Sequence, residues 1–251
     1  MLQIVVPMAG AGSRFIKEGF TLPKPLIDVA GRPMIARVIE NLRPLRPHRF
    51  VFICQRDHDQ TYRLSEQLRT LASGSVIVLI DGLTDGAART VLAAAPDLDP
   101  ALPMMIANSD QFVDFPIDAF LTATDLPGLD GLIMTMVATD PKWSFAACDT
   151  DGFVTYVAEK EPISDEATVG VYHFARAGDF LRGAARMIAT GRRVNGEYYV
   201  APVYNELIET GGRFRCLNIE LAGGAMHGLG IPSDLQRFLD GPAALLLGGP
   251  A

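Results

Sequence analysis

The sequence predicts an α/β fold with a mixed, mainly parallel sheet flanked by helices, and three observations predict it. Short β-branched runs alternate with stretches of helical periodicity through the first half of the chain. In the second half two apolar runs flank Thr150-Asp151-Gly152, a D-G hairpin signal that adds a small β-rich part. With 251 residues, 49% of them apolar and 20% charged, the chain can bury an extensive core, which excludes general disorder.

The first strand is the β-branched run Gln3–Val6, and the first helix is the periodic stretch Met34–Leu42. The same two signals then alternate. They give strand Phe50–Cys54, a helix over roughly Asp59–Ala72, strand Val76–Ile80, helix Asp85–Ala94, strand Met104–Ala107, helix Ile117–Ala123 and, after a turn-rich stretch to Gly131, strand Leu132–Val137. The hairpin is expected from Ala146–Asp149 and Phe153–Ala158, followed by strand Val169–Phe174. Helices at about Gly178–Thr190 and Ala201–Glu209, strand Phe214–Ile219 and a closing helix Ser233–Leu239 complete the chain. No low-complexity linker separates the halves, so a single domain over 1–251 is expected, divided near residue 140 into a doubly wound half and a mixed one.

Lys and Arg total 22 against 29 Asp and Glu, a net charge of −7 without a basic run, which argues against nucleic acid and anionic membrane as partners. A local cation cluster can still bind phosphates, because short-range attraction outweighs net charge. Cys54, Cys148 and Cys216 lie far apart among apolar or strand-like neighbours and read as buried free thiols in a reducing cytoplasm. The amino terminus lacks the basic start of a signal peptide, and no run approaches the about 18 apolar residues of a membrane helix, so a cytoplasmic protein is expected. Self-association into a homo-oligomer is left open.

The first strand runs into Pro7-Met8-Ala9-Gly10-Ala11-Gly12-Ser13-Arg14, a two-glycine turn whose backbone N–H groups can approach an anion beyond the carboxyl end of a strand. Phe15 stands where a dinucleotide fingerprint needs its third glycine, and no G-K-[ST] follows. Arg14 can contact phosphate oxygens bidentately, and Pro23 and Pro25 restrain the backbone on either side of Lys24. Asp110 ends the buried run Met104–Ala107 in an acidic turn, a place where a carboxylate can hold Mg2+ against nucleotide phosphates.

Gly10, Gly12, Ser13, Arg14 and Pro23-Lys24-Pro25-Leu26, continued by Val29-Ala30-Gly31-Arg32-Pro33-Met34-Ile35, resemble the signature of the nucleotidyltransferases that activate sugar phosphates and related phosphorylated metabolites. The resemblance implies a Rossmann-like sheet of the nucleotide-diphospho-sugar transferase type. It implies an NTP-binding half over 1–140 and an acceptor-binding half over 141–251. Arg14 and Lys24 would be catalytic, Ala9, Gly10, Ala11, Gly12, Ser13, Gly86 and Ala87 would bind nucleotide, and Asp110 would coordinate Mg2+. Glu159, Lys160, Gly170 and Glu197 would bind the phosphorylated acceptor. Relatives commonly carry glutamine five residues before the second-loop glycine. Here Asp81 stands there, and because a carboxylate accepts hydrogen bonds without donating them, it suits cytosine N4 and favours CTP. Where relatives carry a second aspartate, this chain has Gly228, with His227 beside it; Asp234 reads as a first-turn helix acid next to a Ser233 cap. The implied reaction is transfer of a nucleoside monophosphate from an NTP to a sugar 1-phosphate or similar metabolite with release of pyrophosphate. A metal-dependent glycosyltransferase and a non-catalytic regulatory subunit are the alternatives.

Overall fold

Successive side chains of a strand point to opposite faces, so Ile4 and Val6 bury against one layer of helices and Val5 against the other. These residues lie in β1 (Leu2–Pro7). The structure, a computed structural model, describes residues 1–247, and the end of the expected 1–251 unit lies outside the described residues. After β1 come α1 (Ser13–Lys17), the ribbon β2 (Asp28–Val29) and β3 (Arg32–Pro33), α2 (Met34–Leu42), β4 (His48–Gln55), α3 (Arg56–Tyr62), α4 (Leu64–Leu71), β5 (Val76–Ile80) and α5 (Ala87–Leu92). Next are β6 (Met104–Ala107), β7 (Gln111–Asp114), α6 (Ile117–Ala123), β8 (Gly131–Val137), β9 (Ser144–Cys148), β10 (Val154–Glu159) and β11 (Glu166–Phe174). The chain closes with α7 (Ala177–Ala189), α8 (Val203–Ile208), β12 (Phe214–Asn218), β13 (Ala225–Gly228) and α9 (Pro232–Asp240).

Strands β5, β4, β1 and β6 run side by side in parallel, the doubly wound part of the sheet. Antiparallel β11 follows β6, β8 follows β11, and β12 pairs with β8 in parallel. The β9–β10 hairpin joins through Ala167 and Phe145, so one nine-stranded mixed sheet spans both halves. One core buries Ile4, Phe52, Leu68 and Phe120 on the first face; a second buries Val5, Ile53, Phe180 and Tyr204 on the other. A third, smaller cluster of Phe15, Met34, Leu229 and Phe238 fastens the segment after the glycine turn to α9.

Several boundaries differ from the sequence expectation. The helix expected over Asp59–Ala72 is two, because Arg63 takes a left-handed φ of 51° and the Asp59 carboxylate accepts the Ser65 N–H at 2.6 Å, starting α4 afresh. The helix expected from Asp85 begins at Ala87, since Gly86 has φ 126°. Gln111–Asp114 and Ala225–Gly228 pair antiparallel, a ribbon too short to leave a periodic signal. Pro232 opens α9 with Ile231 as its cap, so Ser233 lies inside the helix and caps nothing. Of the three cysteines only Cys54 is buried; Cys148, the last residue of β9, is exposed, and Cys216, on β12, is half-buried.

Candidate active site

The loops after β1, β5 and β6 leave the carboxyl edge of the parallel strands, the edge where open α/β sheets bind ligands. The first loop is anchored at its root by two contacts: Met8 N–H donates to Ile53 O at 2.9 Å, and Gln55 Nε2 donates to Ala9 O at 2.7 Å. Beyond that anchor the backbone N–H groups of Gly10, Ala11, Gly12, Ser13 and Arg14 have no protein acceptor among the described residues. Such a row of unpaired donors suits an anion. Gly12 has φ 62°, and a Cβ there would sit 3.3 Å from Lys24 Cβ, so glycine meets both the left-handed backbone and the close packing of the Pro-Lys-Pro segment.

Lys24 Nζ donates to Asp110 Oδ2 at 2.7 Å, with the two side chains 20% and 24% exposed. Asp110 is held from behind, where its carbonyl accepts the Leu229 N–H at 2.8 Å and a Cβ on Gly230 would come within 2.5 Å of its carboxylate. The β7–β13 ribbon thus presses a glycine-bearing turn onto the carboxylate. At Gly228 an added Cβ would lie 3.4 Å from Asp234 Oδ2, while Asp234 Oδ1 accepts from Arg237 Nη1 at 3.0 Å. His227 lies beside the rings of Phe112 and Phe238, and burial lowers its pKa.

A cleft of about 200 Å³ opens next to this cluster, lined by Ala87, Asn108, Ser144, Glu159, Gly170 and Tyr199 among others. Gly170 has φ 82°, and any Cβ there would collide with the Asn108 and Gln111 side-chain amides, while the Asn108 N–H donates to Gly170 O at 3.0 Å. Burial raises the Glu159 carboxyl, opposed by the Ser144 hydroxyl that donates to it and by the Lys160 charge. Lys160 takes φ 59°, a strained backbone for a residue with a side chain, and its N–H donates to Trp143 O at 2.9 Å. Its Nζ donates to Tyr199 Oη at 2.6 Å and lies 4.7 Å from the ring centre; that hydrogen bond raises the lysine. Glu197 is exposed, and its charge also raises Glu159 and Lys160.

The second loop is laced to the same region. Tyr198 N–H donates to Asp85 O at 2.8 Å and Ala88 N–H donates to Tyr198 O at 2.9 Å, across Gly86, where a Cβ would collide with the Tyr198 backbone. The structure therefore brings Lys24, Asp110 and the 9–14 turn into one group, and Ala87, Glu159 and Gly170 into the adjoining cleft. Exposed Arg14 stands at the turn. Asp81 stands apart, its side chain 80% exposed and paired with Arg56 Nε at 2.7 Å.

Sequence reasoning missed Asn108, Trp143, Ser144, Tyr172 and Tyr199 as cleft residues. Asn108 follows a buried strand two positions before Asp110, and Trp143 is the chain's one tryptophan. Both were visible signals. Among the described residues no group of three or more His, Cys, Asp or Glu side chains could hold a metal ion.

A family model described as a MobA-like NTP transferase domain matches residues 4–157. The bifunctional protein GlmU of Burkholderia multivorans is 29% identical over 222 residues, covering 84% of this chain and 45% of that protein. The chain thus spans about half the length of the curated relatives it matches. Among solved structures, a nucleoside-diphosphate-sugar pyrophosphorylase from Vibrio cholerae RC9 superposes with a TM-score of 0.80 at 28% identity, covering 95% of this chain and 100% of the other. The inositol-1-phosphate CTP transferase from T. maritima shares the fold, with a TM-score of 0.73 at 14% identity over 99% and 98% of the two chains.

Proposed function

Because the chain belongs to the MobA-like NTP transferase domain family, we propose that it transfers a nucleoside monophosphate, CTP being the preferred donor, to a sugar 1-phosphate or similar phosphorylated metabolite and releases pyrophosphate. One observation carries the reading: Lys24, paired with Asp110 at 2.7 Å, packs against a turn with five consecutive N–H groups that have no acceptor among the described residues. Residues 1–140 form the NTP-binding half and 141–251 the acceptor-binding half of one unit.

An oxygen of the acceptor phosphate attacks the α-phosphorus of the NTP, and the bond to the β-phosphate oxygen breaks, so pyrophosphate leaves with the displaced electron pair. The nucleophile is already anionic at neutral pH. Catalysis is then alignment plus charge neutralisation, which needs no triad. The 9–14 turn and Arg14 receive the triphosphate, Lys24 holds phosphate near the reacting phosphorus, and Gly86 and Ala87 border the nucleoside. Glu159, Gly170 and Glu197 orient the acceptor, and Lys160 binds its phosphate.

The donor set fits magnesium: Mg2+ is commonly held by one or two carboxylates together with substrate phosphates and water, and Asp110 offers one partly open carboxylate beside the turn. When bound, the ion neutralises phosphate charge. Gly228 stands where many relatives carry a second aspartate, and the Asp234 carboxylate lies beside that position. For the base, Asp81, just past the end of β5, is an acceptor that suits the cytosine amine.

The test is pyrophosphate release from each NTP with Mg2+ and a panel of phosphorylated sugars, amino alcohols and amino-acid derivatives. CTP-dependent release with one acceptor class is expected. Turnover with UTP or dTTP but not CTP overturns the base assignment. Glycosyl transfer from a preformed nucleotide-sugar without pyrophosphate overturns the reaction class.

A further inference from the structure

Cys148 ends β9 and Cys216 lies within β12, and their sulfurs stand 3.9 Å apart although 68 positions separate them in sequence. The approach is built by the fold around it. Phe153, just past the hairpin turn, bridges to Arg215, and the guanidinium groups of Arg213 and Arg215 lie 4.3 and 4.4 Å from its ring centre. Arg215 Nη2 also donates to Asp151 O at 2.9 Å, tying the turn itself to β12. A disulfide needs its sulfurs about 2 Å apart, so closing a bridge requires the two side chains to turn toward each other within this clamp.

We propose that Cys148 and Cys216 are a modification site, a thiol pair that a small-molecule disulfide oxidises to an intrachain disulfide. Exposed Cys148 attacks first: its thiolate displaces one thiolate from the small disulfide and forms a mixed disulfide. Cys216 gives its proton to solvent, and its sulfur attacks Cys148 Sγ and expels the second small thiolate. Two protein thiols lose two electrons and two protons, and the small disulfide is reduced to two thiols. The environment supports this order. Contact with the Cys216 thiol and the nearby Arg215 lower Cys148, against burial, Glu166 and Asp149, while the contact with Cys148 and burial raise Cys216. Cys54 is buried in the core, its thiol pushed up to about 12 chiefly by burial, and stays out of the exchange. The bridge ties the turn end of the hairpin to β12, and the open end of the same hairpin carries Ser144 and Glu159 of the cleft. The proposal goes beyond nucleotidyl transfer and stands without it.

The experiment treats the whole protein with oxidised glutathione and analyses it by intact mass and non-reducing peptide mapping. Expected are a loss of two hydrogens, a peptide linking Cys148 to Cys216, and a melting temperature raised by about 5–10 °C that falls back on reduction. Cys54→Ala keeps the link; Cys216→Ser stops at a glutathione adduct on Cys148. A stable adduct on Cys148 in the unaltered protein, or no reaction at either thiol, overturns the proposal.

Discussion

Lys24 and Asp110 come together at 2.7 Å from points 86 positions apart in the sequence. Their assignment makes single substitutions informative. Arg14→Ala and Asp110→Asn should each slow pyrophosphate release by about 10²–10³-fold, the range seen when one transition-state donor is removed. Both side chains are at least partly exposed, so melting should stay nearly unchanged. Unchanged turnover in both variants contradicts the roles. A second residue-scale outcome concerns acid stability. Burial, aided by Arg46, lowers His173 from 6.5 to about 4. The unfolded chain takes up that proton first as pH falls, so this contribution to stability is complete above 6.5 and is lost on the way down through about 4, amounting to about 3 kcal/mol. His173→Leu should flatten the fall in denaturation midpoint between pH 7 and about 4, and an equal fall in both proteins refutes the assignment. At this scale the cations and Asp110 were legible because each sits in a local motif. Ser144, Tyr172 and Tyr199 were not, because cleft walls come from strands and a loop folding over one another, which leaves no local pattern.

The elements that carry the site are held by glycine contacts rather than long helices. Gly86 combines φ 126° with a backbone approach to Tyr198 that admits no Cβ, and the two flanking hydrogen bonds join the loop after β5 to the 195–199 segment. Gly86→Ala should therefore cost about 2–3 kcal/mol of stability, combining backbone strain with a steric clash, as read by urea denaturation. A variant as stable as the parent contradicts this account of the junction. Most strands and helices were legible because burial on both faces leaves continuous apolar runs and an amphipathic helix leaves a 3.6-residue period. Two kinds of feature escaped. Arg63 breaks one apparent helix by a backbone turn that arginine does not advertise, and β7 pairs with β13 through four-residue strands whose partner lies more than a hundred positions away.

Across the molecule, one sheet with a core on each face carries both halves, and the candidate site lies where the parallel strands end and the β9–β10 hairpin begins. The alternation of strand and helix signals sufficed to reach this architecture, since parallel strands need helical crossovers. The strand order around β11 was beyond reach: β8, β9 and β6 all pair with it, and only the folded register decides which does so where. Despite the net charge of −7, two cations meet near one turn: Lys24 packs against the glycine segment that Arg14 follows, and pairs there with Asp110. The most direct measurement is a crystal structure with CTP and Mg2+. The account predicts triphosphate oxygens against the backbone of Gly10–Arg14, with Lys24 on phosphate and the ion on Asp110. A triphosphate bound elsewhere, with Lys24 still on Asp110 and Arg14 in solvent, would contradict it.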